Sequence, residues 1–441
     1  MGVHAAKFST EKEADSVSRA IDRHQIRHPV VLDPTHDLWD RYAIRSWPTL
    51  VVLDVQGRIA WQQSGEVNRA ALRAVIQGLL DEAREAGTLG EAAWSRPSPA
   101  AHTGLLRHPG KVSVHPPPIA QAAEDADPFG ADSRLYVADT GHHRILELVL
   151  VREGGDWPKA RLLRTFGDGQ PGLVDGAPEA ARFRMPQGMT RTEDTLWVAD
   201  TDNHAIRAID LNSGTVTTMA GTGHRGEGID LSARDPKQIA LRSPWDVDAA
   251  TDNDGAAIVL IAMAGTHQIW IFFPERGQIG PFIGSGVEEH VDGPPDQAAL
   301  AQPSGMVLAG HYLFFVDSET SSVRAYRMDE RHLGTLAGQG LFDFGDIDGK
   351  GDAVRLQHPL GITLGIQELY IADTFNHKIK TLRMRDGQVT TLAGGDPQTL
   401  SEPGGLDRAG DFLIIADTNN HRLRIAHRET GEIRDLEVDW G

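Results

Sequence analysis

The 441-residue sequence contains no cysteine. That excludes disulfides, thiolate metal ligands and any mechanism that runs through a thiol of this chain. Long apolar runs are also missing: no stretch approaches the ~20 residues that cross a bilayer. Met1 to Ser9 lacks an apolar core of signal-peptide length. The expectation is therefore a cytoplasmic protein with no membrane partner. Positive charge is in short supply, with 43 Lys and Arg against 62 Asp and Glu and a formal net charge of −19. A field of that sign repels phosphate backbones, so no nucleic-acid partner is expected. What is plentiful is turn chemistry. The 47 glycines and 24 prolines suit an all-β architecture, and the length calls for two domains rather than one core.

The sequence repeats itself. LYVADTGHHRI begins at Leu135, LWVADTDNHAI at Leu196, LYIADTFNHKI at Leu369 and LIIADTNNHRL at Leu413. Two degraded copies, VLIAMAGTHQI from Val259 and LFFVDSETSSV from Leu313, bring the count to six. The aspartate column reads Asp139, Asp200, Met263, Asp317, Asp373 and Asp417. The histidine column four residues later reads His143, His204, His267, Ser321, His377 and His421. Each copy is preceded by a phrase such as MPQGM at Met185 or HPLGI at His358, and several are followed by VTTMAGTG-like phrases. Each unit thus reads as four short strands.

A four-stranded unit of ~45–60 residues cannot bury both faces alone. Radial stacking shelters each face against a neighbour and leaves only short edges. Runs such as Leu-Tyr-Val-Ala are apolar on both faces, as a sheet packed on two sides requires. Asp-Thr at the strand end is turn chemistry. The Val/Ile-Asp-Gly triplets at 174–176, 291–293 and 347–349 are expected as loops on one rim.

These phrases resemble the NHL repeat, named for positions seen here as Asn203-His204 and Asn376-His377. The resemblance runs from Leu105 to Gly441 and implies a six-bladed β-propeller.

Residues 1–87 have another texture. A strand is predicted over Val3–Phe8. A Thr10–Glu13 capping box opens a helix carrying Ala14, Val17 and Ile21, and Val30–Leu32 is a short strand. Thr35 is expected to cap a helix with Leu38, Trp39 and Tyr42. Leu50–Leu53 and Arg58–Gln62 form a hairpin about Gln56-Gly57. Asn68 caps a last helix ending near Gly87. Trp47-Pro48-Thr49-Leu50 and the order of elements around it resemble the C-terminal part of a thioredoxin-like domain. The resemblance implies a cis bond at Pro48, a peptide-contacting surface at Trp47, Pro48 and Thr49, and thiol-disulfide chemistry. It also implies a central strand and a Cys-x-x-Cys helix, neither of which lies in residues 1–87, so the expectation is a truncated domain. Residues 88–104 read as a linker. The whole order resembles the NHL repeat-containing protein 2 family.

One histidine per blade makes a ring, whereas a zinc site needs three or four ligands converging at ~2 Å. The Asp and His columns are accordingly read as structural hairpin residues, with no metal, no cofactor and no catalytic residue assigned. The leading reading of function is a propeller scaffold that binds a protein or peptide and is not catalytic. The alternatives are a fragment of a thiol-disulfide oxidoreductase whose cysteines lie upstream of Met1, and a propeller lyase or hydrolase.

Overall fold

The computed structural model describes residues 1–65, 67–90, 104–115, 129–130, 133–152, 154–252 and 254–441. They form two compact units, Met1–Ala101 and His102–Gly441. Most of the expected linker, 88–104, lies outside the described residues.

The first unit runs β1 (Gly2–His4), α1 (Ala14–Arg23), β2 (Val30–Leu32), α2 (Asp37–Arg41), β3 (Thr49–Leu53), β4 (Ile59–Ser64) and α3 (Arg69–Glu85). β1 and β2 pair in parallel, and β3 and β4 pair antiparallel. The two pairs are separate two-stranded sheets. The Trp47–Pro48 bond is cis. α3 starts where the Asn68 side chain accepts from the N–H groups of Ala70 and Ala71. It stops at Gly87, φ +64, where Thr88 and Leu89 donate back to the Ala83 carbonyl.

Three local expectations fail here for identifiable reasons. The first strand ends at His4 rather than Phe8, because the Glu11 carboxylate accepts from the N–H groups of Lys7 and Phe8 and bends the chain away. The Thr10–Glu13 capping box does not form, and α1 opens at Ala14 without a side-chain cap. Thr35 does not cap α2. Asp33 does, accepting from Leu38 and Trp39, while the Thr35 hydroxyl donates to Asp37.

The second unit is mainly β, a six-bladed propeller in which each blade is four antiparallel strands taken in chain order. From axis to rim, blade 1 is Val112–His115, Arg134–Asp139, Arg144–Val151 and Lys159–Phe166. Blade 2 is Pro186–Thr192, Thr195–Asp200, Ala205–Asp210 and Val216–Ala220, and blade 3 is Pro244–Thr251, Ala257–Met263, Gln268–Phe273 and Gln278–Ile283. Blade 4 is Pro303–Ala309, Tyr312–Asp317, Ser322–Arg327 and His332–Ala337. Blade 5 is Gly361–Leu364, Glu368–Asp373, Lys378–Arg383 and Gln388–Gly394, and blade 6 is Gly405–Ala409, Phe412–Asp417, Arg422–His427 and Ile433–Asp435. We call front the face where the innermost strands begin and the second strands turn into the third.

The core lies between blades, not within them. Alternate residues of each second strand serve opposite interfaces: Tyr136 and Ala138 pack with blade 2, whereas Leu135 and Val137 pack with blade 6. The other four interfaces follow the same scheme. Closure between blades 6 and 1 uses that shared core. It is reinforced by the Val114 N–H on Asp407 at 2.7 Å, and by Val438–Asp439 running parallel to the outermost strand of blade 1.

The Val/Ile-Asp-Gly triplets lie at the rim, but they are bridged to its strands rather than free loops. Gly176 and Gly293 bridge to Val216 and Leu333, and Gly349–Lys350 pairs with Gln388–Val389, so each triplet lies along the outermost strand of its blade. The cause is a buried cation in the third strand. Arg207, Arg324 and Lys380 hold Asp175, Asp292 and Asp348 at 2.7–2.9 Å. Gly293 has φ +140 with nothing within 4 Å of an added Cβ, so backbone conformation rather than space demands glycine. Gly293→Ala should lower stability by about 1–3 kcal/mol in urea unfolding. Gly228→Ala, where nothing crowds an added Cβ and φ is not positive, should be near neutral.

Candidate functional site

The front face is built by one device repeated at the blade junctions. Thr140, Thr201, Ser318, Thr374 and Thr418 donate their hydroxyls to the carbonyls of Pro186, Pro244, Pro359, Pro403 and Pro109 in the next blade at 2.6–2.9 Å. Nδ1 of His143, His204, His377 and His421 accepts from the backbone N–H of Met185, Ser243, Glu402 and His108 at 3.0–3.2 Å. Those recipients, like Gln302 and His358, are non-glycine residues with φ between +45 and +64 just before a proline. Such backbone costs of order 1 kcal/mol or more and persists only when its surroundings hold it. The histidines are themselves left-handed, with φ from +48 to +57.

The aspartates act within their own blades. Asp139, Asp200, Asp317, Asp373 and Asp417 accept the N–H of Arg107, Arg184, Ala301, Gln357 and Ser401 at 2.6–2.8 Å. Their second oxygens meet Arg144, Arg207, Arg324, Asn376 and Arg422. The degenerate copies keep the geometry by substitution. Ser321 Oγ accepts from His358 at 3.2 Å where a histidine stands elsewhere, and the Met263 sulfur takes the Arg242 N–H at 3.4 Å. His267 retains the left-handed turn, φ +55.

Burial drives His143 and His204 down to about 4. The cations Arg107 and Arg184 add to this at His143, and Arg225, Arg184 and Arg242 at His204. The folded state therefore prefers neutral imidazole, whereas the unfolded chain takes up the proton below its ordinary value of 6.5. Stability contributed by these rings is full above about 6.5 and falls as the pH drops toward 4. His204→Asn keeps an acceptor and tolerates a left-handed backbone. It should cost about 1 kcal/mol at pH 7.5, and the gap to wild type should shrink on acidification to pH 4.5 in paired urea titrations.

The axis is closed. Two residues past each repeat proline stand Lys111, Gly188, Asp246, Gly305, Gly361 and Gly405. The four glycines let the innermost strands crowd together: an added Cβ would meet Asp246 from Gly188, and Lys111 from Gly405 at 2.7 Å. Lys111 Nζ crosses the channel to Asp246 at 3.3 Å and to the Leu360 carbonyl at 2.5 Å, joining blades 1, 3 and 5. Both side chains are buried. Behind this plug, toward the back face, lies a cavity of about 140 Å³ ringed by Ser113, Thr190, Asp248, Thr363 and Asp407. Asp248 is lifted to about 6 by burial, yet both carboxylates are engaged. Asp248 accepts from Leu308, Ala249 and Thr190, and Asp407 from Val114, Arg408 and Thr363. Among the described residues no three His, Asp or Glu side chains come together as a metal-ligand set. A wider cleft of about 380 Å³ lies beside blade 4 between His290, Asp292, Thr335 and Gln339. Removing one partner of a buried pair strands the other's charge. Lys111→Met should therefore destabilise by about 3–5 kcal/mol, and Lys111→Met/Asp246→Asn by less than the sum of the single changes, a coupling that a thermal-unfolding cycle measures.

In the first unit, Trp47 is 46% exposed, donates its indole N–H to the Ala5 carbonyl at 2.8 Å and packs on Trp39 at 4.5 Å. Pro48 follows through the cis bond, and the Thr49 hydroxyl donates to Ser46.

The sequence reading missed the axial pair and the buried Arg207, Arg324 and Lys380. The second group had a signal. A cation stands three residues after the histidine column in the three blades that carry a Val/Ile-Asp-Gly triplet, where Leu146 and Trp270 stand in blades 1 and 3, although blade 6 also carries Arg424 there without a triplet.

No protein-family model matches the chain. With four Asp-Thr-x-x-His turns and two degraded copies on six radial sheets, the chain is similar to NHL-repeat proteins. Over 89% of its length it is 35% identical to NHL repeat-containing protein 2 of Homo sapiens, covering 55% of that protein, and 37% identical to the Gallus gallus form, again covering 55%. It is 35% identical to the protein SUPPRESSOR OF QUENCHING 1, chloroplastic, of Arabidopsis thaliana, covering 37% of it. The chain thus spans about half or less of the length of the curated relatives it matches. Among solved structures, a chain of a nidogen/laminin complex aligns over 67% of this chain and 90% of its own at 16% identity, TM-score 0.46. No helix among the described residues is long and apolar enough to cross a membrane.

Proposed function

We propose that the chain is a non-catalytic scaffold whose propeller binds a protein or peptide, and that its first unit is a cysteine-free, thioredoxin-like appendage. The observation that carries this reading is the axial plug. Lys111 and Asp246 block the channel, and the carboxylates behind them are committed to backbone N–H groups. What is left to a partner is the rigid outer surface of the faces. The thioredoxin-like reading is supported by the parallel β1–β2 pair, the cis Trp47–Pro48 bond, the β3–β4 hairpin and the closing α3. The test is chemical cross-linking with mass spectrometry of the full chain in lysate. Reproducible cross-links from propeller residues to a small set of proteins, unchanged by reductant or chelator, are expected. Turnover of an ester, lactone or glycosidic substrate by the purified chain would overturn the reading.

One observation favours a second reading. β1–β2 and β3–β4 are separate sheets, and Val3, Leu50, Leu53 and Ile59 are 37–50% exposed. A thioredoxin-like sheet has a strand at that place. On this reading the unit is part of a redox domain whose dithiol lies outside these 441 residues. Insulin reduction by a longer natural form of the protein, absent from the 441-residue chain, would favour it over the scaffold.

A further inference from the structure

Within a chain of net charge −19, one sector of the front face gathers arginines. Two residues before the repeat proline, blades 1, 2 and 3 carry Arg107, Arg184 and Arg242, where blades 4, 5 and 6 carry Ala301, Gln357 and Ser401. The three arginines occupy equivalent backbone sites, because each N–H is held by the residue that ends its own second strand, Asp139, Asp200 or Met263. Arg184 is exposed, and Arg107 and Arg242 are half-buried.

At two of the three arginines the adjacent turn is fitted to the side chain, while in blade 2 the Asp202 carboxylate feels Arg184. In blades 1 and 3 the residue after the junction Thr or Ala is glycine. An added Cβ at Gly141 would lie 2.7 Å from Arg107 Cγ, and one at Gly265 would lie 3.1 Å from Arg242 Cβ. Asp202 stands there in blade 2, and Glu319 in blade 4. Arg225, on the connection from blade 2 to blade 3, is exposed. The depressed His143 and His204 mark the sector as electrostatically continuous, since His143 feels Arg107 and Arg184 while His204 feels Arg184, Arg225 and Arg242.

Resting on the scaffold reading above, we infer that the blade 1–3 sector of the front face, Arg107, Arg184, Arg242 and Arg225, docks a short acidic polypeptide segment. Guanidinium groups bind carboxylates through paired N–H donors. Nucleic acid is the poorer fit. It carries one charge per nucleotide into the field of a −19 chain, whereas a peptide with a few carboxylates confines its charge to the arc. Glu319, half-buried beside His358, stands on the other half of the face and limits how far the acidic segment extends.

The test is fluorescence anisotropy on the full chain with a labelled 12-residue peptide of alternating Glu and Gly, at 50 and 300 mM NaCl. Saturable binding is expected, at least tenfold weaker at the higher salt, and lost when Gln replaces Glu in the peptide. Arg107→Glu/Arg184→Glu/Arg242→Glu should weaken it at least tenfold. Arg276→Glu/Arg331→Glu/Arg385→Glu, on the back face, should leave it within twofold. Should the first variant misfold by circular dichroism, Arg107→Gln/Arg184→Gln/Arg242→Gln takes its place. Absence of saturable binding, equal loss in both triple variants, or displacement of the peptide by a 12-nucleotide RNA at lower concentration would each overturn the proposal. A protein partner cross-linked equally well to the wild type and to the front-face variant sinks this docking site while leaving the scaffold reading intact. Catalytic turnover sinks the scaffold reading and leaves the docking measurement standing.

Discussion

Everything in the propeller depends on one junction between neighbouring blades. A hydroxyl at the end of a second strand grips the next blade's proline carbonyl, and an imidazole four residues after the aspartate column grips the N–H just before that proline. The recipient is a non-glycine residue in left-handed backbone, a conformation that the isolated chain would abandon. Apolar burial alone would permit blades to slide. The junction converts a stack of greasy sheets into a ring with fixed register, because each hydrogen bond is short-range and directional.

That junction explains why the histidines and aspartates repeat without gathering into a metal-ligand set among the described residues. Each His Nδ1 that holds a neighbour's N–H is spent on it, and each aspartate is spent on its own blade's opening loop and on a nearby cation or amide. Side chains committed in this way give rigidity. Variation among blades then falls on the positions the junction leaves open. Those are the residue before each left-handed site and the residue after the junction hydroxyl, and there the front face becomes asymmetric in charge.

Much of this was legible in the sequence because it is local. The phrase Ala-Asp-Thr-x-x-His encodes a strand end, a turn and a strand start within six residues, so four copies and two degraded ones announce six blades before any contact is known. Asn68 as a helix cap was legible for the same reason, since its acceptors lie two and three residues away. Local grammar misleads where a distant or competing partner wins. Thr10 and Glu13 spell a capping box, yet Thr10–Lys12 winds into a separate 3-10 turn and the helix opens only at Ala14. The Val/Ile-Asp-Gly triplets read as loops until Arg207, Arg324 and Lys380, some 32 residues further on, draw their aspartates against the outer strands.

The sequence by itself determined the number of repeats, their strand content and the turn that ends each second strand, since these follow from periodicity and side-chain reach over a few residues. Only the tertiary structure decided what stands on the axis and how the ring shuts. Lys111 meets Asp246 across 135 positions of chain, and Thr418 reaches Pro109 across 309. Nothing in the neighbourhood of either residue signals its partner. These contacts exist because closing six sheets into a circle brings the first and last of them side by side and aims the innermost strands of all six at one line.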